Sequence, residues 1–186
     1  YGDHTFQGTS MSGDGSVFVV GAVDNDDGVT SAGSVYVYIK DGTSWKQAQK
    51  LVASSTSGQV SPRFGNSVSI SEDANYILIG AHRNDTIGLN RGAAYVFVRT
   101  ATILRGSDST NEDNFATGVA ISSDGTYAVA TSKAHPNQTA VGAAYVFKRT
   151  GTSWSAHEKL QAPVPASDME FGSSVSISGD GNYILV

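Results

Sequence analysis

The 186-residue chain contains no cysteine. That single absence excludes a disulfide framework, a thiolate metal site and a cysteine nucleophile. Charge is also sparse, since Asp, Glu, Lys and Arg make up 16% of residues against the usual quarter or so. The net charge is −5, and the basic residues are spread along the chain rather than gathered into the stripe that nucleic acid requires. Apolar runs such as Val17-Phe18-Val19-Val20 are strand-length, far below the roughly 18 residues of a membrane-spanning helix. No segment carries a 3.6-residue hydrophobic period, so helices are not expected.

What the chain does have is repetition. A strand of alternating small polar and apolar residues ends in an acidic turn at Ser67–Asp73, at Val119–Gly125 and at Ser174–Gly181, with a weaker copy at Thr9–Gly15. A denser apolar strand follows each turn: Val17–Val20, Tyr76–Ile79, Tyr127–Ala130 and Tyr183–Val186. The pairs Gly21-Ala22 and Gly80-Ala81 close two of these, and Thr131-Ser132 closes the third. A third strand reads Gly-Ala-Ala-Tyr-Val-Phe at Gly92–Phe97 and Gly142–Phe147, with Gly33–Tyr38 as the divergent copy. Gly-Thr-Ser-Trp then opens a fourth strand at Gly42–Trp45 and Gly151–Trp154; the middle copy lacks it and is shorter.

Period-2 alternation joined by Asp-Gly and Gly-Asp-Gly turns describes antiparallel hairpins. A β-sandwich also has short, evenly spaced strands, but it gives no reason for the same series to return about every 50 to 60 residues. The fold class expected is therefore all-β: a β-propeller-type array of four-stranded antiparallel blades, roughly three and a half of them. Blade boundaries fall at 1–63, 64–114 and 115–170, with a partial blade at 171–186.

The string Phe171-Gly172-Ser173-Ser174-Val175-Ser176-Ile177-Ser178-Gly179-Asp180-Gly181 resembles the opening of an FG-GAP repeat, the blade type of integrin α-subunit propellers. Phe64-Gly65 shares that opening and Phe115-Ala116 departs from it by one residue. Gly21-Ala22 and Gly80-Ala81 are similar to the second half of the motif without its proline. The Gly-Ala-Ala-Tyr-Val-Phe strand and the Gly-Thr-Ser-Trp turn look like the bacterial and protist version of the repeat. The resemblance implies antiparallel blades about a central axis, with binding surfaces on the loops of extracellular, cell-surface or secreted proteins. It also implies loops that hold Ca²⁺ through alternating acidic residues. Here Asp24-Asn25-Asp26-Asp27-Gly28 offers oxygens, yet Val29-Thr30-Ser31-Ala32 stands where a further acidic ligand belongs, and a solvated Asx-rich turn accounts for the same residues.

Two sequons, Asn84-Asp85-Thr86 and Asn137-Gln138-Thr139, fall in the same inter-strand loop of successive blades and are glycosylation candidates in a secretory setting. His4, His82, His135 and His157 share no metal-ligand spacing and read as scattered surface residues. No Gly-x-Ser-x-Gly elbow is present, and Glu112-Asp113 reads as solvated charge. No catalytic residue is assigned. Tyr36, Tyr95 and Tyr145 recur at one blade position, and Tyr38, Phe97 and Phe147 two residues on. Sharing one sheet face, they are expected to pack between blades. Tyr183, Ile184, Leu185 and Val186 form an apolar strand whose edge is expected to be covered by more polypeptide or by another copy of the chain.

The functional expectation is a non-enzymatic binding, adhesion or structural module with an unidentified protein or carbohydrate ligand. Two alternatives stand beside it: an accessory propeller of a larger secreted enzyme, and a subunit that polymerises through open blade edges.

Overall fold

Alternation turns into pleated strand throughout the computed structural model, which describes residues 6–26, 31–53, 62–85, 90–98, 102–108, 113–133, 142–163 and 170–186. The first blade contains β1 (Phe6–Met11), β2 (Val17–Ala22), β3 (Ser34–Asp41) and β4 (Ser44–Leu51). The second contains β5 (Val68–Ile70), β6 (Ile77–Ala81), β7 (Ala93–Phe97) and the short β8 (Thr102–Leu104). The third contains β9 (Phe115–Ile121), β10 (Tyr127–Ser132), β11 (Ala143–Thr150) and β12 (Ser153–Gln161), and β13 (Ser176–Ile177) pairs with β14 (Ile184–Leu185) in the fourth. Strands follow chain order across each sheet and pair antiparallel within it, and a parallel bridge from Gly92 to Phe115 joins the second blade to the third. No helix occurs among the described residues.

The acidic turn is built identically in each blade. Ser12, Ser71, Ser122 and Ser178 donate their hydroxyls to Asp14, Asp73, Asp124 and Asp180 at 2.6–2.8 Å. Each serine Oγ in turn accepts an N–H at the entry to the following strand, from Val17, Tyr76, Tyr127 or Tyr183. The residue two past each aspartate, Ser16, Asn75, Thr126 or Asn182, donates its backbone N–H to the same carboxylate. These are charge-assisted bonds, which favour the ionised acid. The Ser12 and Ser16 hydroxyls accordingly pull Asp14 down to about 2. At Asp73 desolvation opposes the shift, but the bonds from Ser71 and Asn75 outweigh it; Asp124 and Asp180 are lowered chiefly by Thr126 and Ser178.

A depressed carboxylate stabilises the fold above its unfolded value, near pH 3.9, and that contribution is lost as pH falls through the folded value. Urea midpoints are therefore expected to drop between about pH 4 and about pH 2. A double variant, Asp73→Asn with Asp124→Asn, should be less stable at neutral pH and show a shallower acid transition. An identical acid transition in the variant would show that the turns do not carry it.

The turns also join blade to blade. Gly13 N–H donates to Glu72 C=O, Glu72 N–H to Ser123 C=O, and Ser123 N–H to Gly179 C=O, each at 3.0 Å. The innermost strands follow the same path, β5 lying between β1 and β9, and β13 against β9. Beside this ladder, side chains interlock. The Tyr76 ring occupies the space above Gly125, and the Tyr127 ring that above Gly181. The smaller Val17 stands where the facing turn residue is Ala74.

The core consequently lies between sheets. One cluster joins Val19, Val35 and Val37 to Phe64, Val68, Ile70 and Tyr95; the next joins Leu78, Ala94 and Val96 to Phe115, Val119, Tyr145 and Phe147. A third carries Val129, Ala144 and Val146 against Val175, Ile177 and Ile184. Tyr95, Tyr145 and Phe147 are buried as their shared face requires, while Phe97 is only partly buried. Tyr36 and Tyr38 of the first blade are half-buried.

Candidate functional site: the loop face

In a four-stranded antiparallel blade, the second-to-third connection and the passage to the next blade lie at one end, opposite the acidic turns. Asn84, Asp85 and the Asp24–Asp26 segment belong to this loop face. Its frame is set by the blade interface. A Cβ on Gly33 or Gly92 would stand 2.1 Å from the carbonyl oxygen of Phe64 or Phe115, and one on Gly142 would stand 1.8 Å from that of Phe171. The glycine of the third strand is thus where the next blade's phenylalanine crosses.

Two of the loops share a clamp. Asn25 Nδ2 donates to the Tyr36 hydroxyl at 3.2 Å, and Asn84 Nδ2 to the Tyr95 hydroxyl at 2.8 Å. Gly33 and Gly92 donate their N–H groups to the carbonyls of those asparagines. Asp26 accepts the Ser31 N–H, and Asp85 accepts that of Asn90. The pair Asn-Asp is therefore a loop-closing device present in both blades.

This geometry bears on two sequence readings. Asn84 is not presented on the loop surface: it is 0% exposed and its amide nitrogen is engaged with Tyr95. Asn137 lies outside the described residues. Asn25 and Asp26 are committed to the clamp, Asp24 is half-buried, and Asp27 lies outside the described residues. Among the described residues no group of three or more acidic or histidine side chains gathers around a point. The described residues alone fall short of the six to eight oxygens that such a cation takes.

The third blade holds its tyrosine differently. Tyr145 donates its hydroxyl to Asp108 at 2.9 Å, and Lys159 Nζ pairs with the same carboxylate at 2.6 Å. Burial first, and then Asp108, pushes the Tyr145 phenol up.

The histidines are not all surface residues. His157 is exposed and faces the Tyr127 ring at 5.8 Å, but His82 is half-buried, with Nδ1 fully enclosed. Burial and then the charges of Arg83 and Arg63 pull His82 down to about 4. Sequence reading missed this basic corner because Arg63 is brought to His82 only by the β5–β6 hairpin, with Asn66 between them; the signal available was arginine directly before the Phe-Gly pair. His4, His135 and Glu112 lie outside the described residues. Trp45 is 39% exposed and Trp154 is half-buried.

Consecutive four-stranded antiparallel sheets, packed face to face around their innermost strands, define a β-propeller-type module. The FG-GAP repeat model matches residues 45–97 and 99–147, more than half of the chain. The chain belongs to the FG-GAP repeat family. The first match runs from β4 through β7, so the family's unit straddles a blade boundary. Among solved structures, the Dos1 propeller aligns with a TM-score of 0.58 at 13% identity, covering 95% of this chain and 40% of that one. A putative TolB from Agrobacterium tumefaciens aligns with a TM-score of 0.53 at 12% identity, covering 98% of this chain and 53% of that one. The chain therefore spans about half or less of either structure, and the likeness is one of fold. No curated protein matches it.

Proposed function

We propose that the chain is a non-catalytic recognition module of an extracellular or cell-surface protein, and that it binds its ligand through the loop face. The observation that supports this reading is a constant frame carrying unlike side chains. Beyond the second strand stand Asp24 in the first blade, His82 and the exposed Arg83 in the second and Lys133 in the third, while Val23 of the first is buried. Rigid strands that present chemically different loop residues are the usual arrangement of a binding surface. Immobilised glycans and surface proteins of the source organism form the test panel. Substituting exposed loop-face residues such as Arg83 should abolish retention, and substituting exposed turn residues such as Glu72 should not. The reverse result would overturn the assignment.

A second reading concerns the fourth blade. Tyr76 and Tyr127 pack on the turn glycine of the following blade, whereas Tyr183 and Leu185 are each 76% exposed. This apolar face suits a further FG-GAP blade, supplied by more of the polypeptide or by a second copy. Sedimentation over a hundredfold concentration range tests the second source: self-association that Tyr183→Ser reduces supports it. A monomer at every concentration removes it.

A further inference from the structure

We propose that Arg63, His82 and Arg83 form an oxyanion-binding site on the loop face, taking a carboxylate or sulfate group from a ligand. The inference deepens the loop-face reading and rests on it.

Its basis is a comparison within the chain. Lys133, which follows β10, pairs with Glu170 at 2.8 Å, and Glu170 directly precedes Phe171 of the next blade. The same two places at the first blade junction hold Val23 and Arg63. Where one junction supplies its own anion and cation, the other supplies a cation opposite an apolar side chain. Arg63 is also held in a left-handed backbone, φ 52, at a position that Asn114 occupies with φ 49 in the next blade. Asparagine tolerates that region far better than arginine does, and such strain collects at ligand sites.

The donors are built in. Asn66 fastens the corner, its N–H donating to Arg63 C=O and its Oδ1 accepting the His82 N–H, both at 3.3 Å. Arg63 Nε and His82 Nδ1 are both buried, and neither meets a hydrogen-bond partner. Buried polar nitrogens are nearly always bonded. Arg63 Nε can only donate, which calls for an acceptor. No carboxylate among the described residues pairs with Arg63 or Arg83. The adjoining acids Asp26 and Asp85 are engaged with backbone N–H groups. Both nitrogens are enclosed, so an oxyanion reaches them only as the half-buried Arg63 and His82 side chains shift outward, with the exposed Arg83 adding charge at the rim.

The test follows the arginine Nε–Hε and His82 ring signals by NMR during titration with sodium sulfate and, separately, sodium acetate. Sodium chloride at matched ionic strength is the control. The expected result is a saturable shift with at least one oxyanion, weakened about tenfold or more by Arg63→Gln. Arg83→Gln, at an exposed position, should weaken it while leaving the fold intact. The acetate and sulfate arms separate a planar from a tetrahedral group. Shifts that never saturate, or that match those of chloride, overturn the site while leaving loop-face recognition of a neutral ligand standing. Saturable binding unchanged in both variants places the anion elsewhere and overturns this assignment.

Discussion

Replacing Phe115 by alanine is expected to cost about 3 to 5 kcal/mol, a large part of the stability of an ordinary domain. Phe115 is 0% exposed, with ring centroids 5.4 Å from Tyr145 and 6.3 Å from Phe147 in edge contacts. It stands in the core between the second and third blades. Truncation would leave both aromatics without a face to pack against, and their backbones are pinned in β11. Phe6, at the start of the first blade, is 63% exposed and provides the control. Phe6→Ala should change the urea midpoint little. Equal costs for the two substitutions would contradict the placement of the core between sheets.

The second large effect is expected at Gly92. Its φ is +74, and an added Cβ would meet Phe115 oxygen at 2.1 Å and nitrogen at 2.6 Å, both backbone atoms that cannot swing aside. Gly42 has φ +60 with nothing within 4 Å of the corresponding position. Both replacements by alanine carry the left-handed backbone penalty of about 1 to 2 kcal/mol. Gly92→Ala adds overpacking, typically about 1 to 3 kcal/mol more. Thermal denaturation of the two variants separates these contributions. If Gly42→Ala is as damaging as Gly92→Ala, the close blade crossing is not what selects glycine here.

The blades were legible because each is specified by local features: period-2 alternation, an Asp turn, and a repeat that returns the series. The face shared by Tyr95, Tyr145 and Phe147 followed from residues two apart pointing the same way. The site was legible only in part, because its chemistry depends on contacts that no local pattern encodes. Asn84 reads as a sequon over three residues, but Tyr95, eleven positions on, decides where its amide points. Arg63 and His82 lie on opposite sides of a strand hairpin, and Asn66 is what ties them together. Likewise Asp26 reads as a calcium ligand from the local pattern, and only the folded loop shows that its Oδ1 also accepts the Ser31 N–H.

The ladder of turn-to-turn bonds runs in one direction, each turn donating to its successor and accepting from its predecessor. Every internal blade therefore has the same pair of connectors, one of each polarity. A gene segment encoding one blade can be copied in tandem, or lost, without stranding a donor or acceptor at the new junction. Nearest-neighbour arrays change length in this manner. This ladder is therefore not what sets the number of blades.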